Sequence, residues 1–215
     1  MREVKTLKKI FSVFFVIFDF LFYICLMKID IKSIVINESN INSLKDENKD
    51  SFNIKKLLGV ELTQSQSIRF GNTFQKIVKD IVKSAGGQII PTQFADDYNV
   101  GETKQNKGKK DVDIWFKLNN KMYYFEAKTN LDLDSEKSKA TDLKVSDISD
   151  WMKSNYSDHE VVSGVLSCWF KQETGLPVKV KSVFYMEDLF KILDIEMTSD
   201  EYYSMMKDFG KSINS

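Results

Sequence analysis

The chain has 215 residues, 42% of them hydrophobic and 29% charged, and its 31 Lys and Arg balance 31 Asp and Glu. That length and composition suit one globular domain with a sizeable core, and only two prolines argue against long extended linkers. One histidine, His159, and two cysteines, Cys25 and Cys168, with no CxxC pair, argue against a zinc site and leave any Ser-His-Asp or Cys-His chemistry resting on His159 alone.

In chain order, residues 10–27 are almost wholly apolar, broken by Ser12 and Asp19 and preceded by Lys5, Lys8 and Lys9. Read alone, this is a borderline membrane-spanning or signal segment. No small-residue cleavage site follows it, and Asp19 near its centre costs about 2.5–3.5 kcal/mol on insertion scales. Met27-Lys28-Ile29-Asp30 resembles a natural beginning. Three readings of 1–27 therefore stand: a spurious start, a membrane anchor, or a packing helix. The first goes with a cytoplasmic, reducing location, which the cysteine usage favours, and the second with membrane attachment. Residues 28–62 form a polar leading segment with one short strand expected at 31–36.

Residues 63–215 are the expected main domain. From Thr63 a helix is predicted, with Phe70, Phe74, Ile77, Val78, Ile81 and Val82 at three- and four-residue spacing. Ser84-Ala85-Gly86-Gly87 ends it. Its polar side carries Arg69, Gln75, Lys76 and Lys79. Residues 88–110 read as a loop, basic at its end, where Lys104, Lys107, Lys109 and Lys110 crowd together. Strands at 112–118 and 122–129 form a hairpin around Asn119-Asn120-Lys121. A polar loop at 130–142, a helix at 145–155, strands at 161–170 and 178–185, and helices at 188–195 and 199–212 complete an α/β sheet flanked by helices. Cys168 lies in an apolar run and reads as a buried thiol, whereas His159, in a polar stretch, reads as a surface residue.

The chemistry lies in the hairpin. Strand side chains alternate, so Glu126 and Lys128 share one face while Tyr123, Phe125 and Ala127 turn to the other, the core. Asp113 heads the preceding strand, and the hairpin brings it near Glu126. Magnesium is a hard ion that takes oxygen ligands and keeps several waters. Asp113, Glu126 and the carbonyl of Ala127 can supply such ligands, polarising a phosphodiester and acidifying a water. Lys128 can position or deprotonate that water or neutralise developing charge. Asp111 shares the parity of Asp113 and rivals it as the first acid. An E-x-K alone recurs by chance in strands, where the pair makes a modest surface contact. The acid thirteen residues earlier and the amphipathic helix upstream raise its weight.

On these residues the chain resembles the PD-(D/E)XK nuclease superfamily. Asp113 matches the first acid, Glu126-Ala127-Lys128 the E-x-K, and Gly71-Asn72-Thr73-Phe74 the superfamily's upstream helix. The resemblance implies a restriction-endonuclease-like core, with a central mixed sheet and the order helix, strand, strand, strand, helix, strand, and Mg²⁺-dependent phosphodiester hydrolysis. The runs at 129–141 and 187–193 are similar to type II restriction endonucleases, which implies a site-specific homodimeric enzyme acting on double-stranded DNA beside a cognate DNA methyltransferase. Two departures stand out: Val112 precedes Asp113 where proline is frequent, and Gln75 stands where many relatives carry a metal-binding glutamate. Expected DNA contacts are Lys107, Lys109, Lys110, Lys137, Ser138, Lys139 and Thr141, with Lys144 also beside the acidic centre. A Holliday-junction resolvase or repair nuclease on the same core is the alternative within the class. A non-catalytic DNA- or membrane-associated protein is the alternative outside it.

Overall fold

The computed structural model describes residues 29–44, 55–60, 64–91, 112–129, 131, 133–170 and 178–213. The chain divides into two compact units, Met1–Asp30 and Ile31–Ser215, and the elements below belong to the second. The helices are α1 (Ile31–Val35), α2 (Glu38–Asn42), α3 (Lys55–Leu58), α4 (Gln64–Ser84), α5 (Ser135–Asn155), α6 (Met186–Ile192) and α7 (Ser199–Ile213). The strands are β1 (Gln88–Ile89), β2 (Ile114–Leu118), β3 (Lys121–Lys128), β4 (Glu160–Ser167) and β5 (Val183–Phe184). They form one mixed sheet in the order β1-β2-β3-β4-β5, antiparallel across β1, β2 and β3 and parallel across β3, β4 and β5.

The long helix α4 follows its periodicity. All six apolar residues of the predicted stripe are buried, and Gly86, at φ 82°, closes the helix while the Gly87 N–H donates to the Val82 carbonyl at 2.8 Å. This left-handed residue is where a glycine carries no Cβ penalty. The β2–β3 turn has two residues, Asn119 at φ 48° and Asn120 at φ 62°. Two positive φ values in succession match the right-handed twist of the flanking strands, so Lys121 belongs to β3 and pairs with Leu118.

Both faces of the hairpin are covered. One carries Trp115, Met122 and Tyr124, buried in a core with Val145, Ile148 and Met152 of α5. On the other, Phe116 stacks on Tyr123 at 4.8 Å and Phe125 meets Phe184 at 4.9 Å. The expectation that only the Tyr123 and Phe125 face would be core is therefore corrected, because α5 covers the face that bears Glu126.

Five further expectations change, the first being that residues 88–89, read as loop, form β1 paired with β2. Residues 31–36 are not a strand: Ile31 and Val35, four apart, are the buried stripe of α1, which touches α4 and α7. The 130–142 stretch is not all loop, because α5 begins at Ser135 with Asp134 as its N-cap, accepting the Lys137 N–H at 2.7 Å. The strand expected at 178–185 shrinks to Val183–Phe184. The Lys181 N–H donates to the Asp142 carboxylate of α5 at 3.0 Å instead of to a strand. His159 is not a free surface side chain: its ring is 11% exposed and lies edge-on to Tyr156. Cys168 is fully buried, as expected. Among the described residues no helix is long and apolar enough to cross a membrane; the apolar 10–27 segment lies outside them.

Candidate active site

The site forms where β2 begins and β3 ends. Ile114 pairs with Phe125, and continuing that antiparallel register sets Asp113 opposite Glu126. The Ala127 N–H donates to Asp113 Oδ2 at 2.9 Å. A strand residue's N–H and C=O point the same way, so the Ala127 carbonyl also faces the head of β2. On the α5-covered face of β3, Glu126 is 5% exposed. Its Oε1 accepts from Lys128 Nζ at 2.8 Å, and its Oε2 accepts from Lys144 Nζ at 2.6 Å and the Tyr124 hydroxyl at 3.2 Å.

The two acids have opposite electrostatic fates. Burial first, and then the charge of Glu126, push Asp113 up to about 6, against the pull of Lys144, the Ala127 N–H and Lys128. For Glu126 burial is again the largest single influence and acts upward. The charges and hydrogen bonds of Lys128 and Lys144 together outweigh it and hold the carboxyl below its ordinary value. Lys79 of α4 is drawn below its usual range by burial, opposed by the charge of Asp113.

Several sequence-derived residues thus come together: Asp113, Glu126, Ala127 and Lys128. Two residues at the site, Lys144 and Lys79, were not expected in these roles. Lys144 sits three residues after buried Thr141 and four before buried Ile148, hence beside the buried stripe of α5. Extending the 145–155 periodicity backward would have found it. Lys79 lies one turn beyond Gln75 on α4; Gln75 itself makes no hydrogen bond to either carboxylate. Of the expected DNA contacts, Lys137 and Lys139 are exposed on the first turns of α5, with Lys137 paired to Asp134 at 3.1 Å. Ser138 and Thr141 are buried, Ser138 donating to the Asp134 carbonyl at 2.9 Å. They help build the helix and are not presented to a phosphate. Asp111, Lys107, Lys109 and Lys110 lie outside the described residues.

The donor set suits a hard divalent cation, being two carboxylates and a backbone carbonyl, all oxygen. Burial first, and then the facing Glu126 charge, raise Asp113, and a cation held between the two carboxylates would oppose both effects. Among the described residues no group of three or more His, Cys, Asp or Glu side chains gathers, so such an ion would rest on Asp113, Glu126 and the Ala127 carbonyl. No family model matches the chain, and neither curated proteins nor solved structures include a match to it.

Proposed function

We propose that the chain is a Mg²⁺-dependent deoxyribonuclease of the PD-(D/E)XK type, and within that class a type II restriction endonuclease cutting double-stranded DNA at fixed sites. The observation that carries this reading is the convergence of Asp113, Glu126 and Lys128 at one end of a mixed sheet, with Asp113 bonded to the backbone of the residue between Glu126 and Lys128. The order α4, β1, β2, β3, α5, β4 is also the helix, strand, strand, strand, helix, strand order that the resemblance implies.

Asp113, Glu126 and the Ala127 carbonyl would hold the ion, which when bound supplies Lewis-acid polarisation of the phosphodiester and a more acidic attacking water. Asp113 must be a carboxylate to serve as a ligand, a form favoured above about pH 6. The Tyr124 hydroxyl fixes the Glu126 carboxylate from within the core. Lys128 keeps an ammonium beside Glu126, placed to orient the water and to offset the negative charge that grows on the phosphate oxygens. A palindromic target would pair two copies about a twofold axis, and a DNA methyltransferase of matching specificity would protect the host's own sites.

The test is digestion of phage and plasmid DNA by protein beginning at Met27, with and without Mg²⁺, beside Glu126→Ala and Lys128→Ala. Discrete bands that require Mg²⁺ and fall at least about 100-fold in both variants are expected. Cutting confined to branched DNA would move the reading to a junction-resolving or repair nuclease. No Mg²⁺-dependent cutting of linear or branched DNA, methylated or not, would overturn the nuclease reading.

A further inference from the structure

Nothing in the E-x-K pattern requires Lys144, yet it reaches Glu126 from another element. Its side chain is only 21% exposed, and its Nζ lies 2.6 Å from Oε2 while Lys128 Nζ lies 2.8 Å from Oε1. One carboxylate therefore carries two ammonium groups, one on each oxygen. A single lysine would neutralise it, and drawing a second ammonium out of water is offset only in part by its attraction to the acid. Lys128 and Lys144 match Glu126 and Asp113 in number, and Lys79, whose charge interacts with Asp113, makes the cations outnumber the two carboxylates. Such an excess suits a site that receives an anion.

We infer that Lys144 is a second working lysine of this site. It sits at Oε2 of Glu126 as a tethered cation, would give way where Glu126 held a divalent ion, and would then turn its freed ammonium to the phosphodiester. The inference rests on the nuclease reading and adds a residue to it. A divalent ion and an ammonium cannot share one carboxylate oxygen without repulsion, so the two compete. Lys144 is the partner able to yield, because its flexible four-carbon stem springs from α5 and is independent of β3. Once displaced, the ammonium needs an anion, and the substrate's phosphate brings one.

The test is calorimetric titration of the DNA-free full chain with Mg²⁺ at low ionic strength. Lys144→Met, which keeps the apolar stem and removes the charge, is expected to bind Mg²⁺ at least about tenfold more tightly than wild type while cleaving DNA at least about 100-fold more slowly. Lys144→Arg, which keeps the charge, is expected to stay near the wild-type Mg²⁺ affinity. Lys144→Gln gives the same direction as Met and serves in its place if that variant does not fold. Loss of the binding signal in Glu126→Gln assigns the ion to this carboxylate. Equal or weaker Mg²⁺ binding by the Met or Gln variant overturns the role of Lys144 and leaves the nuclease reading standing. Absence of Mg²⁺ binding in wild type and variants alike overturns the metal reading and this inference with it.

Discussion

Asp113 and Glu126 face each other, yet they should affect stability with opposite sign. Asp113 holds its proton more tightly in the native chain, at about 6 against 3.8. Its favourable contribution is complete below its unfolded value and is lost as pH rises through about 6. Glu126 is held below its ordinary 4.5, so its contribution is present above that value and is lost as pH falls through the lower native one. In cation-free protein at pH 8, Asp113→Asn is therefore expected to raise the unfolding free energy by about 1–3 kcal/mol. Glu126→Gln is expected to lower it by about 2–4 kcal/mol, because two partly buried ammoniums lose their counter-charge. Urea denaturation at pH 8 and again near pH 4 checks both. The gain from Asp113→Asn should shrink at the acidic end, and a loss at both pH values would mean that the native carboxylate is not strained. The pairing of Glu126 with Lys128 was legible in the sequence because strand alternation alone sets them on one face. The pairing of Glu126 with Lys144 was not, although helical periodicity marks that lysine's side of α5, because the two lie eighteen residues apart on different elements.

At the scale of elements, α5 shows why one helix was half legible. Its buried residues are Ser138, Thr141, Val145, Ile148, Ser149 and Met152. They keep helical spacing throughout, but the first turns bury small hydroxyl residues in place of an apolar stripe. The hydrophobic period therefore begins ten residues after the helix does, whereas the Asp134 cap marks the true start. The β4–β5 edge was legible in kind but not in length. Gly164 of β4 lies beside Phe125, and a Cβ added there would come within 2.7 Å of the Phe184 ring and 2.8 Å of the Ser182 carbonyl. The absent side chain is what lets β5 lay Phe184 over Phe125. Gly164→Ala is accordingly expected to destabilise by about 1–3 kcal/mol. Shortening the ring in Gly164→Ala/Phe184→Leu should recover part of that loss, read from denaturation midpoints. A Gly164→Ala protein as stable as wild type would show that β5 yields without cost.

At the scale of the molecule, the ends of the two central parallel strands are tied together beside the site. Cys168 Sγ and Trp169 Nε1 both donate to the Thr129 carbonyl, at 3.5 and 3.3 Å, just past Lys128. The Tyr202 hydroxyl of α7 donates to the Cys168 carbonyl at 2.5 Å. Burial pushes the Cys168 thiol far above its usual range, and only the thiolate attacks alkylating reagents. Labelling of Cys168 thus requires opening of the region where β3, β4 and α7 meet, and its rate reports how often that opening occurs. A ligand that binds only the closed state divides the open fraction by 1 + [L]/Kd, about 100-fold when its concentration is a hundred times Kd. In a Cys25→Ser protein, which leaves Cys168 as the sole thiol, Mg²⁺ is expected to slow labelling by that factor, with Kd taken from direct titration. Asp113→Asn, stripped of a ligand charge, should label at a rate that Mg²⁺ hardly changes. If Mg²⁺ binds the wild-type chain yet leaves its labelling rate untouched, the strand ends open without disturbing the carboxylates, and the site would be held by the β2–β3 hairpin and α5 alone.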